Sequence, residues 1–426
     1  MRGYVEPGSG APGRLRRTLG LGDAVTVGLG SMVGAGIFAV WGPATASAGG
    51  WVLLALLLAG VVATCNALSS AALAARYPSA GGTYVYGRER LGPVWGYLAG
   101  WCFVVGKTAS CAAMAMTVGA YLVPGSERPA AVVAVVLVTA LNLAGVQRSV
   151  SASRVVVAVV VCALLGVAVA ALWSDGGAPA LEPSRVVGGD LDVYGVLQAA
   201  GLLFFAFAGF ARIATLGEEV RDPQRVIPRA VVLALAAVLG LYALVGVVVL
   251  GVLGADGTAG QPAALALAAG AVWGEHWVWL VRGVAALAAF GALLNLVLGI
   301  SRTTMAMARD GHLPAALARI TGPRAVPRNA EVVVGGVVLL VVLVVDLRGA
   351  IGFSSFGVLL YYAVANASAL TLRDRGPWPV VPILGLAGCL LLAASLPLSS
   401  VLAGSGVVLA GLLALAVTGG HRRAAA

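Results

Sequence analysis

The chain has 426 residues, of which 60% are hydrophobic and only 10% are charged. An ordinary soluble domain carries about 25% charged residues, so this composition excludes a soluble globular protein and indicates a polytopic membrane protein. The net charge of +10 could indicate nucleic-acid binding. However, the arginines lie in short loops between apolar runs, which is typical of membrane proteins. The expected partner is therefore the lipid bilayer, and no nucleic acid is expected.

The chain begins with a polar segment, residues 1–19, that is rich in Gly, Pro and Arg. It lacks the apolar stretch of a signal peptide, so we expect a short disordered cytoplasmic tail. About twelve segments then reach the roughly 20 apolar residues needed to cross a bilayer, which predicts an all-α integral membrane protein. Residues 420–426 form a second cytoplasmic tail. The predicted spans lie near residues 20–47, 51–75, 93–123, 129–147, 153–173, 193–217, 228–252, 277–307, 330–346, 350–372, 378–396 and 399–419.

The loops between these spans indicate an orientation. If the N-terminus lies in the cytoplasm, most loop arginines fall on the inner side, and only Arg128, Arg185 and Arg348 fall on the outer side. An excess of positive charge in cytoplasmic loops is the usual rule for membrane proteins. We therefore expect a multi-pass protein of the cell membrane with both termini in the cytoplasm.

The first predicted span contains an interruption. The stretch from Gly28 to Gly36 holds four glycines and Ser31, and each glycine inside a helix costs roughly 1 kcal/mol relative to alanine. In a bilayer a broken helix survives only where protein or a cavity satisfies the freed backbone groups. The interruption is therefore a candidate binding site.

A second interruption is predicted in the sixth span, at Phe204–Arg212, which runs into Glu218 and Glu219. Paired interruptions at matching places in two halves of a chain are typical of transporters with an inverted repeat. The alternative is that these small residues only allow helices to pack closely. Arg212 is expected to pair with Glu218 or Glu219, or alternatively to meet an anionic substrate group.

The two interruptions together suit an α-amino acid. Free N–H groups at Gly34, Ala35 and Gly36 would start the second half-helix and could bind a carboxylate. Carbonyl groups near Gly30 and Ser31 and in residues 205–208 could bind an ammonium group. The candidate substrate-binding residues are Gly30, Ser31, Met32, Val33, Gly34, Ala35, Gly36, Ile37, Phe205, Ala206, Phe207, Ala208 and Phe210.

Aromatic side chains surround this candidate site. Phe205, Phe207 and Phe210 either shape a pocket for the substrate side chain or only pack against neighbouring helices. Three residues of the eighth and tenth spans could likewise either line the substrate pocket or only pack against neighbouring helices, namely Asn295, Tyr361 and Tyr362.

Lys107 is the only lysine in the chain and lies in the middle of the third predicted span. Ionisable residues inside a membrane are costly and mark functional sites. An ammonium group removed from water gives up its proton more readily, and lysine, unlike arginine, can switch between charged and neutral forms. Lys107 is therefore the candidate for proton coupling. The alternative is a structural lysine that donates to carbonyls freed by a helix interruption.

Other kinds of chemistry have no support in the sequence. The cysteines neither pair by spacing nor resemble metal ligands, and all five lie in apolar runs, as expected for small buried hydrophobic residues. No acidic residue or histidine lies in the middle of a predicted span, so a relay of such groups is not expected. No Walker motif or nucleophile–base arrangement is found. The sequence thus predicts no metal, no cofactor and no enzyme.

Several motifs resemble those of the amino acid–polyamine–organocation transporters, nearest to the bacterial amino acid permeases related to cationic amino acid transporters. The resemblance extends from about residue 19 to residue 372 and depends on motifs that occur in the family's order. These are Gly30–Phe38, Tyr77–Tyr84, Phe204–Phe210, Glu218–Pro223, Ile227–Ala230, Ser301–Arg302, Met307–Pro314 and Val326–Pro327.

This resemblance implies a five-plus-five inverted repeat of twelve helices in which helices 1 and 6 are broken. The repeats would be residues 20–173 and 193–372, followed by two accessory helices in 378–419. The substrate, an amino acid or related amine, would lie between the first and sixth spans and cross by alternating access. Ser31, Gly34 and Gly36 would hold its carboxylate, and carbonyls of Phe205, Ala206 and Ala208 would face its ammonium group.

Two departures from the family pattern bear on the mechanism. Proton-coupled relatives often carry a lysine in the fifth span, where this chain has Cys162 by our count. Lys107 on the third span is expected to supply the replacement charge. The family also often has an acidic residue directly after the Gly209–Phe210 pair, where this chain has Ala211. That difference favours a neutral amino acid over a cationic one.

The predicted function is secondary active transport of neutral amino acids by proton symport. An amino acid exchanger needs no titratable group and is the main alternative. A membrane sensor that binds without transport is another, although both tails are short. Sodium coupling is also open, since Ser301 and Thr304 could bind a cation together with carbonyls of the first span.

Overall fold

The structure is a computed structural model that describes residues 19–77, 81–145, 150–173, 182–214, 220–320, 326–372 and 379–424. Within these ranges the chain is almost entirely helical, with an isolated bridge between Leu19 and Val220. The predicted all-α class is confirmed. Residues 1–18 of the predicted N-terminal tail, part of the Tyr77–Tyr84 motif, and both Glu218 and Glu219 lie outside the described residues.

The helices follow one another along the chain with short connections. The helices of the first half are α1 (Leu21–Met32), α2 (Ala35–Ala39), α3 (Trp41–Ala48), α4 (Val52–Arg76), α5 (Thr83–Leu91), α6 (Pro93–Leu122), α7 (Glu127–Leu143), α8 (Val150–Trp173) and α9 (Pro183–Val186). Those of the second half are α10 (Val193–Phe207), α11 (Ala211–Ala214), α12 (Pro223–Thr258), α13 (Ala264–Trp273), α14 (Glu275–Arg309), α15 (Arg328–Val344), α16 (Leu347–Leu370), α17 (Val380–Ser395) and α18 (Leu398–Ala424).

Many of these helices match the length that a bilayer requires. In the described part of the chain, nine helical stretches are long and apolar enough to cross a membrane. The fourth, ninth and eleventh predicted spans are the shorter helices α7 and α15, of 17 residues each, and α17, of 16 residues. A multi-pass membrane protein is therefore supported, and the number of twelve spans stays a prediction.

Helices α6 and α16 form the centre of the bundle. Most of the apolar stretch of α16 is buried, 83%, against 17% for α18. Glycines allow the two central helices to approach closely, because a Cβ added at Gly106 of α6 would lie 3.2 Å from the Cα of Gly357 of α16. Helix α6 also packs against α7, α14 and α15. It thereby places the side chains of its middle turns inside the bundle.

The outermost helix shows the opposite pattern. Helix α18 exposes Leu402, Leu409 and Leu413 along its length. Leucines exposed in this way would be unfavourable in water and favourable against lipid tails. This face is consistent with a bilayer around the bundle. The helix continues to Ala424, through most of the segment 420–426 that is predicted as a tail.

The region between the seventh and eighth spans is more helical than its sequence indicates. Residues 254–261 resemble a loop, yet α12 continues to Thr258 across a kink at Gly254, where φ is 73° and ψ is 173°. Glycine adopts this backbone conformation without the strain that a Cβ would cause. The short apolar piece that follows is α13, and it packs against α8, α12 and α14.

Candidate functional site

The interruption of the first span lies between α1 and α2. Helix α1 ends at Met32, and the backbone leaves helical geometry at Val33 (φ −78°, ψ 57°) and Gly34 (φ −112°, ψ −138°). Helix α2 continues into α3 through Val40, whose backbone is helical. The first span therefore consists of two half-helices, α1 and the continuous pair α2 and α3.

The backbone groups at this interruption are partly used within the protein. The Gly34 N–H donates to the Met32 carbonyl at 2.8 Å, so this predicted carboxylate donor already has an acceptor. The N–H groups of Ala35, Gly36 and Ile37 stand at the start of α2, where a helix provides no acceptor of its own. These three groups remain the candidate donors to a bound anion.

The interruption of the sixth span is milder. Helix α10 ends at Phe207 and tightens into a 3₁₀ turn over Ala208–Phe210 before α11 begins. A 3₁₀ turn inside a helix leaves carbonyls in poorer hydrogen-bond geometry and often marks a hinge. The described part of this span ends at Ala214. The predicted partners of Arg212, Glu218 and Glu219, lie outside the described residues.

The two interruptions are in direct contact. A Cβ added at Gly36 would lie 2.7 Å from the Cα of Ala206, and one added at Gly209 would overlap the carbonyl oxygen of Ser31. The absence of a side chain at these two glycines is what allows the broken helices to touch. Glycines in both motifs can therefore be explained by this packing as well as by the interruptions themselves.

Tyr242 of α12 joins both interruptions. Its fully buried hydroxyl lies 2.7 Å from the Met32 carbonyl and 3.1 Å from the Ala206 carbonyl. Our sequence reasoning missed this residue. The available signal was a tyrosine within an otherwise aliphatic span, because a buried tyrosine hydroxyl usually finds a partner.

Replacing Tyr242 by phenylalanine should lower the stability of the protein by about 1 kcal/mol, the usual scale of a hydrogen bond between membrane helices. The aromatic ring would stay packed against Phe207, whose ring centroid is 5.3 Å away. Thermal unfolding of the detergent-solubilised protein measures this change. The exposed Tyr194 provides a matched control, and equal melting temperatures for Tyr242→Phe and Tyr194→Phe would contradict the bridging role.

Lys107 points from α6 towards the second interruption. Its Nζ donates to the Ala208 carbonyl at 3.2 Å, and the residue is 9% exposed. The Ala208 carbonyl was one of the predicted acceptors for the substrate ammonium group. Cys162, at the position that we matched to the fifth-span lysine of relatives, is the one exposed cysteine among five. It was expected to be buried.

The candidate aromatic residues are packed among themselves. Phe207 and Phe210 are completely buried, and the Phe210 ring stacks on Tyr362 with centroids 4.7 Å apart. Phe205 is 7% exposed. The Tyr361 hydroxyl accepts a hydrogen bond from the Thr83 N–H at 3.1 Å. Packing therefore accounts for Phe207 and Phe210, and Phe205 remains the stronger candidate for a pocket wall.

Burial changes sharply along the first span. The segment 32–45 is buried throughout, whereas Gly30 is partly exposed and Ser31 is exposed. Asn295 of α14 is also exposed and lies one turn after Ala292, which contacts Gly34. The α1 side of the interruption is therefore more open than the α2 side.

A polar cluster at the end of the bundle that the sequence predicts to lie outside, which we call the outer cluster, consists of Ser47, Gln198 and Arg348. The Arg348 guanidinium donates to the Ser47 hydroxyl at 3.0 Å and to Gln198 Oε1 at 2.9 Å. The Ser47 hydroxyl also lies 3.1 Å from Gln198 Oε1. This cluster ties α3, α10 and α16 together. The sequence assigned Arg348 only to an outer loop.

Two motifs of the family resemblance meet at the opposite end of the bundle. The Tyr84 hydroxyl of α5 donates to the Asp310 carboxylate at 2.5 Å and lies 3.0 Å from His312 Nδ1. Burial and the neighbouring Asp310 carboxylate raise the pKa of the Tyr84 hydroxyl above its usual value. Tyr84 therefore stays protonated and ties α5 to the end of α14.

Glu331 is a second residue that our sequence reasoning missed. It lies in the first turn of α15 and is completely buried, although it stands at the edge of an apolar run. Asn142 of α7 and Ser301 of α14 face its carboxyl group. Ser301 is thus placed beside α7 and α15.

Two interrupted helices that meet beside a buried lysine, inside a bundle of apolar helices, define a membrane transporter. A family model described as amino acid permease matches residues 19–420, and the chain belongs to this family of the amino acid–polyamine–organocation transporters. The predicted resemblance and the prediction that the protein is no enzyme are thereby confirmed.

Individual relatives agree with this assignment. The chain is 58% identical to an uncharacterized transporter of Mycobacterium tuberculosis over 410 residues, which cover 95% of this chain and 92% of the relative. It is 32% identical to the vacuolar cationic amino acid transporter 2 of Arabidopsis thaliana, covering 86% of this chain and 62% of the relative. It is 25% identical to the branched-chain amino acid permease BcaP of Bacillus subtilis, covering 90% of this chain and 88% of the relative.

Proposed function

We propose that this permease carries neutral amino acids across the cell membrane by alternating access, driven by proton symport, with both termini in the cytoplasm. The observation that carries the proposal is the contact between the two interrupted helices at Gly36 and Gly209. Their freed backbone groups lie among buried and mostly apolar side chains. The pairing of these interruptions also supports the five-plus-five inverted repeat of residues 20–173 and 193–372.

The substrate carboxylate would bind at Ser31 and at the N–H groups of Ala35 and Gly36. The substrate ammonium group would bind the carbonyls of Phe205, Ala206 and Ala208. The last two already face Tyr242 and Lys107, but a carbonyl oxygen has two lone pairs and can accept a second bond. Phe205 would contact the substrate side chain.

A neutral substrate is favoured by the absence of a charged partner at one position. Ala211 follows Gly209 and Phe210 where relatives often carry an acidic residue. Without that carboxylate, a cationic side chain would lose its hydration with no compensating charge. The branched-chain amino acids named for one relative are compatible with such a pocket.

Lys107 would couple the proton to the substrate. As an ammonium group it holds the Ala208 carbonyl at the hinge of the sixth span. As a neutral amine it would hold this carbonyl more weakly, because charge-assisted hydrogen bonds are about twice as strong as neutral ones. Losing the proton would therefore free the hinge to move.

The energy available from a proton is sufficient for uptake. One charge crossing 100 mV supplies about 2.3 kcal/mol, and a gradient of one pH unit supplies about 1.36 kcal/mol. Together they support an accumulation of a few hundred-fold for a neutral substrate. Such a transporter could concentrate a scarce nutrient.

The outer cluster would close the site from outside while its inner side is open. Replacing Arg348 by alanine should favour opening towards the outside, because hydrogen bonds to a charged group contribute about 1.5–3 kcal/mol. A Val33→Cys reporter in a Cys162→Ser background should then react faster with a membrane-impermeant thiol reagent added outside. Arg128→Ala, at an exposed arginine of α7, serves as the control. An unchanged labelling rate in Arg348→Ala would refute the closing role.

Uptake into proteoliposomes tests the proposed function. Labelled neutral and cationic amino acids are offered under an inside-alkaline pH gradient without sodium, with or without unlabelled substrate inside. Accumulation of a neutral amino acid in empty vesicles, only with the gradient, would establish symport. Uptake that requires internal substrate and ignores the pH gradient would instead identify an exchanger, and binding without uptake would identify a sensor.

A further inference from the structure

The carboxyl group of Glu331 has no role in the transport mechanism proposed above, and its surroundings are unusual. Its side chain is 0% exposed, and Oε1 has no hydrogen-bond partner within the described residues. The other oxygen, Oε2, lies 3.5 Å from Asn142 Nδ2, at the outer limit for a hydrogen bond. An ionised carboxylate can accept about four hydrogen bonds, and a buried charge without partners is costly. The site thus fits the neutral acid better than the carboxylate.

The hydroxyl of Ser301 can serve both protonation states of the Glu331 carboxyl group. Ser301 lies beside the Glu331 carboxyl group, but its hydroxyl donates to the Val297 carbonyl at 2.9 Å. A serine hydroxyl has one hydrogen and two acceptor lone pairs. While that hydrogen is used in this way, the Ser301 oxygen can accept a hydrogen bond from a protonated Glu331, whereas a rotated hydroxyl would donate to the ionised carboxylate.

The charges around Glu331 leave the ionised form accessible. Arg302 of α14 is exposed and interacts with Glu331 electrostatically, and the first turn of a helix favours a negative charge. Helix α7 contributes the neutral Asn142. The 3₁₀ turn Ala315–Ala318 packs near α15 and contains only alanine and leucine. The surroundings of Glu331 fit its neutral form, and Arg302 and the helix N-terminus favour its ionised form. Glu331 can therefore bind and release a proton.

Glu331 is also connected to the transport site through α6. Cys111 lies one helical turn after Lys107 and is within electrostatic range of both Lys107 and Glu331. Lys107 contacts the sixth-span interruption at Ala208. A charge change at Glu331 would therefore alter the field along the helix that carries Lys107.

We propose that Glu331 is a proton-binding site of this permease, occupied by a proton in the conformation described here and emptied during the transport cycle. The second half of this statement rests on the proposed function. The site lies between α7, α14 and α15 and is separate from the substrate site. The proton adds to a carboxylate oxygen, and the acid formed donates to Ser301 Oγ.

Infrared spectroscopy of the purified protein tests proton binding without transport. A protonated carboxyl group has a C=O stretching band that a carboxylate lacks, and we expect this band to titrate with pH. Glu331→Gln should abolish it. Glu275→Gln is the matched control, because Glu275 also lies in the first turn of a helix but is exposed. A band that persists unchanged in Glu331→Gln would overturn the proposal. The proposal would also be overturned if the infrared spectrum of the wild-type protein showed that the Glu331 carboxyl group stays ionised and that its carboxylate band changes when sodium chloride is added.

Transport tests the second half of the proposal. One proton per substrate supports an accumulation of about tenfold per unit of pH gradient, and Glu331→Gln should lose it. Exchange of labelled for unlabelled substrate at equal pH should persist, which shows that the variant is folded. Accumulation at the wild-type level in Glu331→Gln would overturn the role in the cycle. If wild-type vesicles accumulate nothing, the proposed function fails and the infrared titration alone decides whether Glu331 binds a proton.

Discussion

Replacing Gly36 by alanine is expected to reduce the initial rate of amino acid uptake by about 5- to 150-fold. The added methyl group would lie 2.7 Å from the Cα of Ala206, and a backbone atom cannot move away by changing a rotamer. Overpacking of this kind costs about 1–3 kcal/mol. If this overpacking cost applies only to the conformation in which the two interruptions touch, the population of that conformation falls by about 5- to 150-fold.

The measurement is uptake into proteoliposomes that contain equal amounts of reconstituted protein. Gly240→Ala is the control, because Gly240 is also helical but has open space where a Cβ would lie. This variant should transport at the wild-type rate and should gain stability, since alanine is the better helix former. Wild-type uptake by Gly36→Ala would mean that the two broken helices do not need to touch during transport.

Replacing Lys107 by alanine or glutamine is expected to abolish accumulation driven by a pH gradient, a loss of about tenfold per pH unit. Neither residue can bind and release a proton. Lys107→Arg should fail as well, because a guanidinium group keeps its charge at any relevant pH. Exchange of labelled for unlabelled amino acid at equal pH should survive in Lys107→Gln, whose amide can still donate to the Ala208 carbonyl.

Thr117→Ala is a suitable control for these variants. Thr117 is a buried polar residue of α6 whose hydroxyl donates to the Ala113 carbonyl of the same helix. It should retain accumulation. Unchanged pH-driven uptake in Lys107→Ala would eliminate proton coupling by this residue and leave it a structural contact at the hinge. Loss of both accumulation and exchange in Lys107→Gln would also favour the structural role.

The sequence predicted features that depend on local chemistry. Glycines clustered between Gly28 and Gly36 indicate an interrupted helix, because glycine destabilises a helix whatever the helix packs against. Lys107 stands out because a lysine within an apolar run is rare in membranes. Apolar segments of the right length likewise indicate an all-helical membrane protein.

Features that depend on how helices are rotated against one another were not predictable. Helices that are apolar on all sides carry no periodic signal for their buried face. The partners of Tyr242 and Arg348 are set by such rotations, and so is the exposure of Cys162. Glu331 was missed because it stands at the end of a span, where a carboxylate is usually solvated. Its burial becomes visible only when α7 and α14 are packed against α15.

The burial of the single lysine has a consequence for the surface of this protein. No other side chain carries a primary amine, and Lys107 is enclosed. The basic residues of the loops and tails are therefore all arginines, whose charge no physiological pH removes and which lysine acetylation does not reach. They can hold lipid phosphates with paired hydrogen bonds. Neither a change of pH in the physiological range nor lysine acetylation should therefore weaken the attraction between this permease and an anionic membrane surface.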